Sequence, residues 1–375
     1  MNIAVNTRLL IKNKLEGIGW FSFEVLKRIT ISHPEHQFFF LFDRPFEQDF
    51  VFSENVTPVI IKPGARHPVL FYYWFEYKIP VVLSKYNIDL FFSPDGYLSL
   101  KTSVKSVAVI HDINFVHRPN DLPYLVRKYY NHFFPRFAQK ANSVITVSEF
   151  SKKDICETLN IESKKVNVIY NGVSEQFKPL TDKEIKSVKE EFTKGKEYFI
   201  YVGSLHKRKN IKNLLISFDI FKQKENTEHK LLIVGEKLFS DNSVEQTLRS
   251  MTFKNDIIFT GRVNSDDLVR LLGSAFAMVF IPYFEGFGLP LAEAMASGIP
   301  VVTSDRTALP EIGGDSVLYT NPDSIDDIVK NITLLVHDNE LYQNLRSRGL
   351  KRAVIFDWDK TARQVWSVLE QTLKT

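Results

Sequence analysis

Cysteine is almost absent: Cys156 stands alone in 375 residues. That excludes an internal disulfide and leaves no cysteine cluster for a metal. Long hydrophobic runs are missing too. The longest apolar stretches, residues 38–42, 70–75 and 275–284, fall well short of the ~20 residues that a bilayer-spanning helix needs. The amino terminus, Met1-Asn2-Ile3-Ala4-Val5, leads straight into a strand pattern and lacks the charged-then-apolar layout of a signal peptide. A cytoplasmic location is the expectation. No segment is of low complexity, no internal repeat is visible, and no nucleic-acid partner is expected. The glycine patterns of common nucleotide binders are incomplete as well. Gly17-Ile-Gly19 has no third glycine at Phe21 or Ser22, which argues against a nicotinamide cofactor. The stretch from Gly203 to Asn210 lacks both the glycine count and the closing Lys-Ser/Thr of a Walker loop.

What is present is ordinary in composition, 44% hydrophobic and 25% charged. The chain is too long for one core and predicts two domains. Short β-branched or apolar runs at 3–6, 38–42, 90–92, 106–110, 144–147 and 166–169 alternate with helical patterns. The alternation restarts after Asn171-Gly172 and a polar stretch, with strands expected at 199–202, 231–234, 257–259, 278–281 and 301–303. Strands separated by helices predict parallel sheets covered on both faces. The expected fold class is therefore α/β, with two Rossmann-like doubly wound domains that face a cleft. Charge is uneven: residues 1–178 hold 22 Lys and Arg against 17 Asp and Glu, the remainder 26 against 27. Aromatic and basic residues mix in Phe71-Tyr-Tyr-Trp-Phe-Glu-Tyr-Lys78 and in Arg127-Lys-Tyr-Tyr-Asn-His-Phe-Phe-Pro-Arg136. Such segments either fill a core or rest on a membrane interface.

In open α/β sheets, ligands bind beyond the carboxyl ends of the strands, and the suspicious residues all fall there. Gly17 and Gly19 follow the first strand, His111-Asp112 follow the fourth, and Gly203-Ser-Leu-His-Lys-Arg-Lys-Asn210 opens the second half. Gly261-Arg262 and Glu285 follow later strands. Arg208 and Lys209, next to a helix start at Ile211, read either as a diphosphate clamp or as a basic surface turn. In Glu285-Gly-Phe-Gly-Leu-Pro-Leu-Ala-Glu293, two carboxylates bracket a glycine turn, and a helix is expected from Leu289 or Pro290. Free N–H groups at its start suit an anion, and the acids suit ribose or sugar hydroxyls. His111 is expected to face the cleft, with Asp112 bonded to backbone or neighbours instead of forming a dyad with it. Asp357-Trp-Asp359 has the Asp-x-Asp form of metal-dependent sugar enzymes, but its place at a helix start reads as a cap. No metal is expected.

Taken together, Tyr201 to Ile211, Glu285 to Glu293 with its Ala-Met-Ala-Ser-Gly-Ile-Pro tail, Val147-Ser-Glu-Phe-Ser151 and Val302 to Ile312 resemble the retaining glycosyltransferases of family 4 (group 1). The match runs nearly end to end, in order, and its form is mannosyltransferase-like. The resemblance implies the GT-B fold, with an acceptor-binding domain at 1–178, a donor-binding domain at 179–355, and a last helix, 356–375, crossing back to the first. It implies donor contacts from Gly203, Ser204, Arg208, Lys209, Arg262, Glu285, the Gly286-Phe287-Gly288-Leu289 backbone and Glu293, which would bind the ribose. It gives Glu285, His111, Lys209 and Arg208 the catalytic roles, and puts Gly17, Gly19 and Trp20 at the acceptor. Ser204 stands where many relatives carry arginine, so part of the clamp is either missing or supplied by Lys207.

The function expected is retaining, metal-independent transfer of a hexose from a nucleoside-diphosphate sugar, first of all mannose from GDP-mannose. The acceptor would be a hydroxyl of a saccharide or lipid-linked saccharide, in cell-surface polysaccharide synthesis. The nucleotide sugar is a co-substrate, and no cofactor is implied. Peripheral contact with the inner face of the membrane is compatible with this reading. The alternatives are a hydrolase or epimerase on the same fold, and a non-catalytic nucleotide-sugar binding protein.

Overall fold

The computed structural model describes residues 1–236 and 242–374. It divides into two compact units, Met1–Gly172 with Asp357–Thr375, and Val173–Phe356. The chain changes unit at Gly172, a little before the polar stretch that suggested a boundary near 178. The reason is local. A Cβ on Gly172 would lie 2.3 Å from the backbone nitrogen of Trp358, so only glycine lets these two segments of the first unit touch. Just beyond, Val173 N donates to Phe356 O within the second unit.

The first unit is built on a seven-stranded parallel sheet: β1 (Asn2–Asn6), β2 (Gln37–Phe42), β3 (Val56–Ile60), β4 (Leu90–Ser93), β5 (Lys105–Val109), β6 (Ser143–Thr146) and β7 (Val166–Val168). Its order is β3-β2-β1-β4-β5-β6-β7, and every pair is parallel. β3 has no counterpart among the expected strands. Pro58 cannot donate to a ladder, and the strand survives because it lies at the sheet edge, paired with β2 alone.

One apolar layer includes Trp74, Phe75, Phe91, Tyr97 and Phe137. The other sets Ile3, Val5, Phe21 and Val25 against Trp358, Val365 and Leu369. The latter three come from the helix Trp358–Lys374, which lies against the helix Gly17–Ser32 and covers the sheet.

The second unit holds a six-stranded parallel sheet: β8 (Tyr198–Val202), β9 (Lys230–Val234), β10 (Ile257–Gly261), β11 (Ala277–Phe280), β12 (Val301–Ser304) and β13 (Leu318–Thr320). The order is β10-β9-β8-β11-β12-β13. β13 is the second strand absent from the sequence reading, a three-residue edge strand, Leu-Tyr-Thr, with a single β-branched residue. The central β8 is fully buried and reads Tyr-Phe-Ile-Tyr-Val without alternation, as expected of a strand covered on both faces.

Candidate active site

The second unit gathers its chemistry where β8 and β11 end. After β8 the chain makes a single helical turn, Lys207–Lys209, and passes through Asn210 in the left-handed region into the helix Ile211–Glu225. Asn210 suits that step because asparagine tolerates positive φ, here 61°. Its amide also donates to the carbonyls of Ile281 and Pro322 at 3.2 and 2.7 Å, which ties the turn to the segments after β11 and β13.

The turn brings Arg208 and Lys209 onto one carboxylate. Glu285 Oε1 accepts from Arg208 Nη1 at 2.7 Å and also from Lys209 Nζ. The cluster is well shielded, with Glu285 8% and Lys209 7% exposed. Burial alone would push the Glu285 carboxyl upward, but the Lys209 ammonium and Arg208 guanidinium outweigh it and hold it below the usual carboxylate range. Two cations meet on one carboxylate in a place poor in water. Such a place attracts a diphosphate.

The backbone of this site is fixed from outside the motif. Thr307, itself at φ 59°, accepts the Glu285 N–H on its hydroxyl at 3.1 Å. Arg208 also donates to Phe284 O, and Tyr283 N donates back to Arg208 O. Gly288 ends the turn at φ 94°, and a Cβ there would meet Leu309 at 2.6 Å. The helix Leu289–Ala296 begins on its far side. The Phe287 side chain is buried against Phe356, at 5.5 Å between ring centroids, so only its backbone is placed to serve a ligand. Gly203 and Gly235 follow β8 and β9 at φ 145° and 146°. A Cβ on Gly235 would lie 2.0 Å from Gly203 O, which makes this the tightest backbone approach at the sheet end.

Glu293 is different. It lies on the helix Leu289–Ala296, and no hydrogen bond or ion pair reaches its carboxyl among the described residues. Burial pushes it up to about 8, so it is an acid waiting for donors. Ser204 is occupied at its carbonyl by Tyr201 Oη and His206 N, each at 3.0 Å, and Lys207 is exposed. Arg262 follows β10 at the sheet edge, two strands from β8.

In the first unit, His111 follows β5 by two residues, and its Nε2 lies 2.9 Å from Pro94 O. A carbonyl only accepts, so Nε2 carries the proton and Nδ1 keeps its lone pair. Burial lowers the imidazole's pKa, which keeps it neutral at physiological pH. Phe21 meets the ring edge-on at 5.1 Å. Asp112 Oδ1 accepts from the backbone and side-chain nitrogens of Asn114 at 3.0 and 2.6 Å, and makes no bond with His111.

Gly17 and Gly19 do not form a loop. They are the first turn of the helix Gly17–Ser32, in which Trp20 N already donates to Glu16 O. Gly19 is needed for close packing, because a Cβ would lie 3.1 Å from Leu9 O. Trp20 is half-buried one residue further on, edge-on to Phe23.

Sequence reasoning passed over Arg8 and Asp95, which pair at 2.9 Å beyond the ends of β1 and β4 with under 10% of either side chain exposed. Arg8 lies 4.3 Å from the Tyr97 ring and 4.9 Å from Phe71. A charged residue directly after an apolar strand was the available signal. Asp357 is a helix cap: its Oδ1 accepts from Asp359 N and Lys360 N, and Asp359 pairs with Arg28.

Known proteins share both halves of this arrangement. Residues 182–352 match the glycosyl transferases group 1, and residues 33–177 match Glycosyltransferase Family 4. The chain is 26% identical to O-antigen chain mannosyltransferase B of Escherichia coli, over 94% of this chain and 96% of that protein. It is 28% identical to O-antigen chain mannosyltransferase RfbU of Salmonella typhimurium, over 85% and 84%. The crystal structure of Anabaena Alr3699/HepE in complex with UDP-glucose superposes with a TM-score of 0.76 over 99% of this chain and 100% of its own, at 17% identity. Two parallel α/β units, matched in order by these two families and by that fold, place the chain among the group 1, family 4 glycosyltransferases of GT-B fold.

Proposed function

We propose that the enzyme moves mannose from GDP-mannose, with retention of configuration and without a catalytic metal, to a hydroxyl of a saccharide or lipid-linked saccharide. The observation that carries this reading is the pair of cations on Glu285 Oε1. As the bond from the anomeric carbon to the phosphate oxygen breaks, its electron pair goes to the diphosphate. Arg208, Lys209 and the amino end of the helix Leu289–Ala296 are there to meet that charge. Cations already in place do the work a divalent ion does elsewhere. The acceptor oxygen then bonds to the anomeric carbon from the same face, and its proton passes to the leaving phosphate oxygen. Glu293, unpartnered, takes the ribose hydroxyls. The mannose assignment leans on the two O-antigen mannosyltransferases to which the chain is similar.

A lipid-linked acceptor and peripheral membrane contact draw support from the first unit's surface. The segment 68–85 buries Trp74 and Phe75 but leaves Val69, Tyr72, Tyr73, Tyr77 and Val81 exposed. Tyr72 touches Phe133 on the neighbouring helix Tyr124–Lys140, whose Tyr124 and Leu125 are exposed as well. Lys78, Lys101 and Lys128 lie over these rings. Tyrosines edged by lysines suit a headgroup layer. Among the described residues no helix is long and apolar enough to cross a membrane.

The test is calorimetric titration with GDP, UDP and ADP in the presence of a chelator, followed by nuclear magnetic resonance of the product formed from GDP-mannose. Tight GDP binding and an α-linked product are expected. Preference for UDP would overturn the donor, and a β-linked product would overturn retention. Breakdown of the donor without any acceptor would make the protein a hydrolase or epimerase. Binding without turnover would make it a sensor.

A further inference from the structure

The turn between the helix Gly17–Ser32 and β2 carries the sequence His33-Pro-Glu-His36, at the opposite end of that helix from Gly17, Gly19 and Trp20. Glu35 Oε1 lies 3.3 Å from His33 Nδ1 and 3.3 Å from His36 Nε2. The ligand atoms of all three residues fall within 4.8 Å of one another. A tetrahedral ion with bonds of about 2.0–2.2 Å to nitrogen and oxygen separates its ligands by roughly 3.3–3.5 Å. Two of the three separations already have that length.

The turn is held in this shape without an ion. Asn55 is buried, and its amide nitrogen donates to the carbonyls of Thr30, His33 and His36 at 3.2, 3.0 and 3.0 Å. His36 N closes the turn on His33 O. Behind the imidazoles lies Trp366, from the helix Trp358–Lys374. Its ring stacks on His33 at 3.8 Å and 19°, and on His36 at 5.1 Å and 27°. Both rings are therefore oriented by packing and by a clamped backbone, while Glu35 remains exposed. An ordinary surface ion pair needs neither. Imidazoles oriented by their surroundings beside an accessible carboxylate suit an ion site.

We infer that His33, Glu35 and His36 form a binding site for a divalent transition-metal ion of the zinc class, with two imidazole nitrogens, one carboxylate oxygen and a fourth position left to water. Nitrogen and carboxylate donors select zinc, nickel or copper over magnesium and calcium, which prefer oxygen. The site is structural. Its ligands all lie on the turn that opens β2, which packs against Trp366 of the first unit's last helix, so the ion's binding energy adds to the stability of that unit.

The probe is Zn²⁺ alone, titrated at neutral pH into the full chain without any histidine tag and followed by calorimetry and thermal unfolding. One ion per chain and a raised melting temperature are expected. Glu35→Ala alters an exposed side chain and leaves the packing intact. It is expected to weaken zinc at least ~10-fold, in line with the loss of a ligand-level contact, and to abolish the thermal shift. His36→Gln is expected to do the same. A second reading uses Cu²⁺, which quenches indole fluorescence at short range. The quench should appear in the wild type and shrink in Trp366→Phe. No zinc uptake by the wild type would overturn the site. Equal uptake by the wild type and Glu35→Ala would overturn it as well, since the ion would then be held elsewhere.

Discussion

Removing Lys209 and removing Glu285 should not cost the protein the same. In Lys209→Ala, Glu285 keeps Arg208 as a partner. In Glu285→Ala, a buried ammonium and a guanidinium lose the carboxylate they share, a loss on the order of 3–5 kcal/mol. Urea unfolding should therefore show Glu285→Ala clearly less stable, and Lys209→Ala near wild type. Turnover should fall on the order of 10²-fold in both, about 2.7 kcal/mol of transition-state stabilisation. A Lys209→Ala enzyme working within about threefold of wild type, under 1 kcal/mol, would remove that residue from the chemistry.

Glu293 gives a second prediction at this scale. Its folded-state pKa is raised to about 8 from 4.5, so between those values the folded chain holds a proton the unfolded chain has lost. Its contribution is full below about 4.5 and is lost as pH rises towards 8. Glu293→Gln should flatten this decline, seen as a smaller drop in melting temperature between the two ends of that window. An unchanged drop would mean that Glu293 is already ionised and solvated. Both acids were legible as a motif, but their opposite states were not. Those depend on Arg208 and Lys209, distant in sequence, reaching one acid and not the other.

Among the elements, the central strands were readable because burial on both faces leaves them apolar throughout, as in β8 and β11. The edges were not. β3 contains Pro58 and β13 has three residues, and each is recruited by a neighbour more than by its own sequence. The start of the helix Gly17–Ser32 is hard to read for a related reason. Two glycines look like a loop, yet Gly19 is there so that the helix can approach Leu9. Close approach also makes Gly235 a point of weakness. Gly235→Ala needs a side chain at φ 146° and an atom 2.0 Å from Gly203 O. A loss on the order of 2–4 kcal/mol is expected, with β8 and β9 splayed at their ends. Denaturant unfolding measures it, and a loss below about 1 kcal/mol would show that these strand ends yield easily.

At the scale of the whole molecule, the two units differ in how their chain is laid out. The second is one continuous stretch, Val173–Phe356, and the first is assembled from two separate ones. From the returning stretch come Trp358, Val365, Trp366, Val368 and Leu369. At about 1.5–3 kcal/mol for each large side chain buried, their sum rivals the stability of a typical domain. A chain ended after Phe356 should lose amide protection throughout residues 1–172 and keep it in 173–356. Nucleoside-diphosphate affinity should stay within about threefold, less than 1 kcal/mol. Protection retained in the first unit would show that the helix is dispensable.

This layout also bears on how the molecule is made. On the ribosome, residues 1–172 emerge first, with Ile3, Val5, Phe21 and Val25 made long before the helix that covers them. The second unit has all its own strands as soon as Phe356 has emerged. The half synthesised later is thus the half able to finish first, and the earlier half waits with an apolar face uncovered. Chaperone demand should therefore concentrate on the first unit and end when the last helix docks.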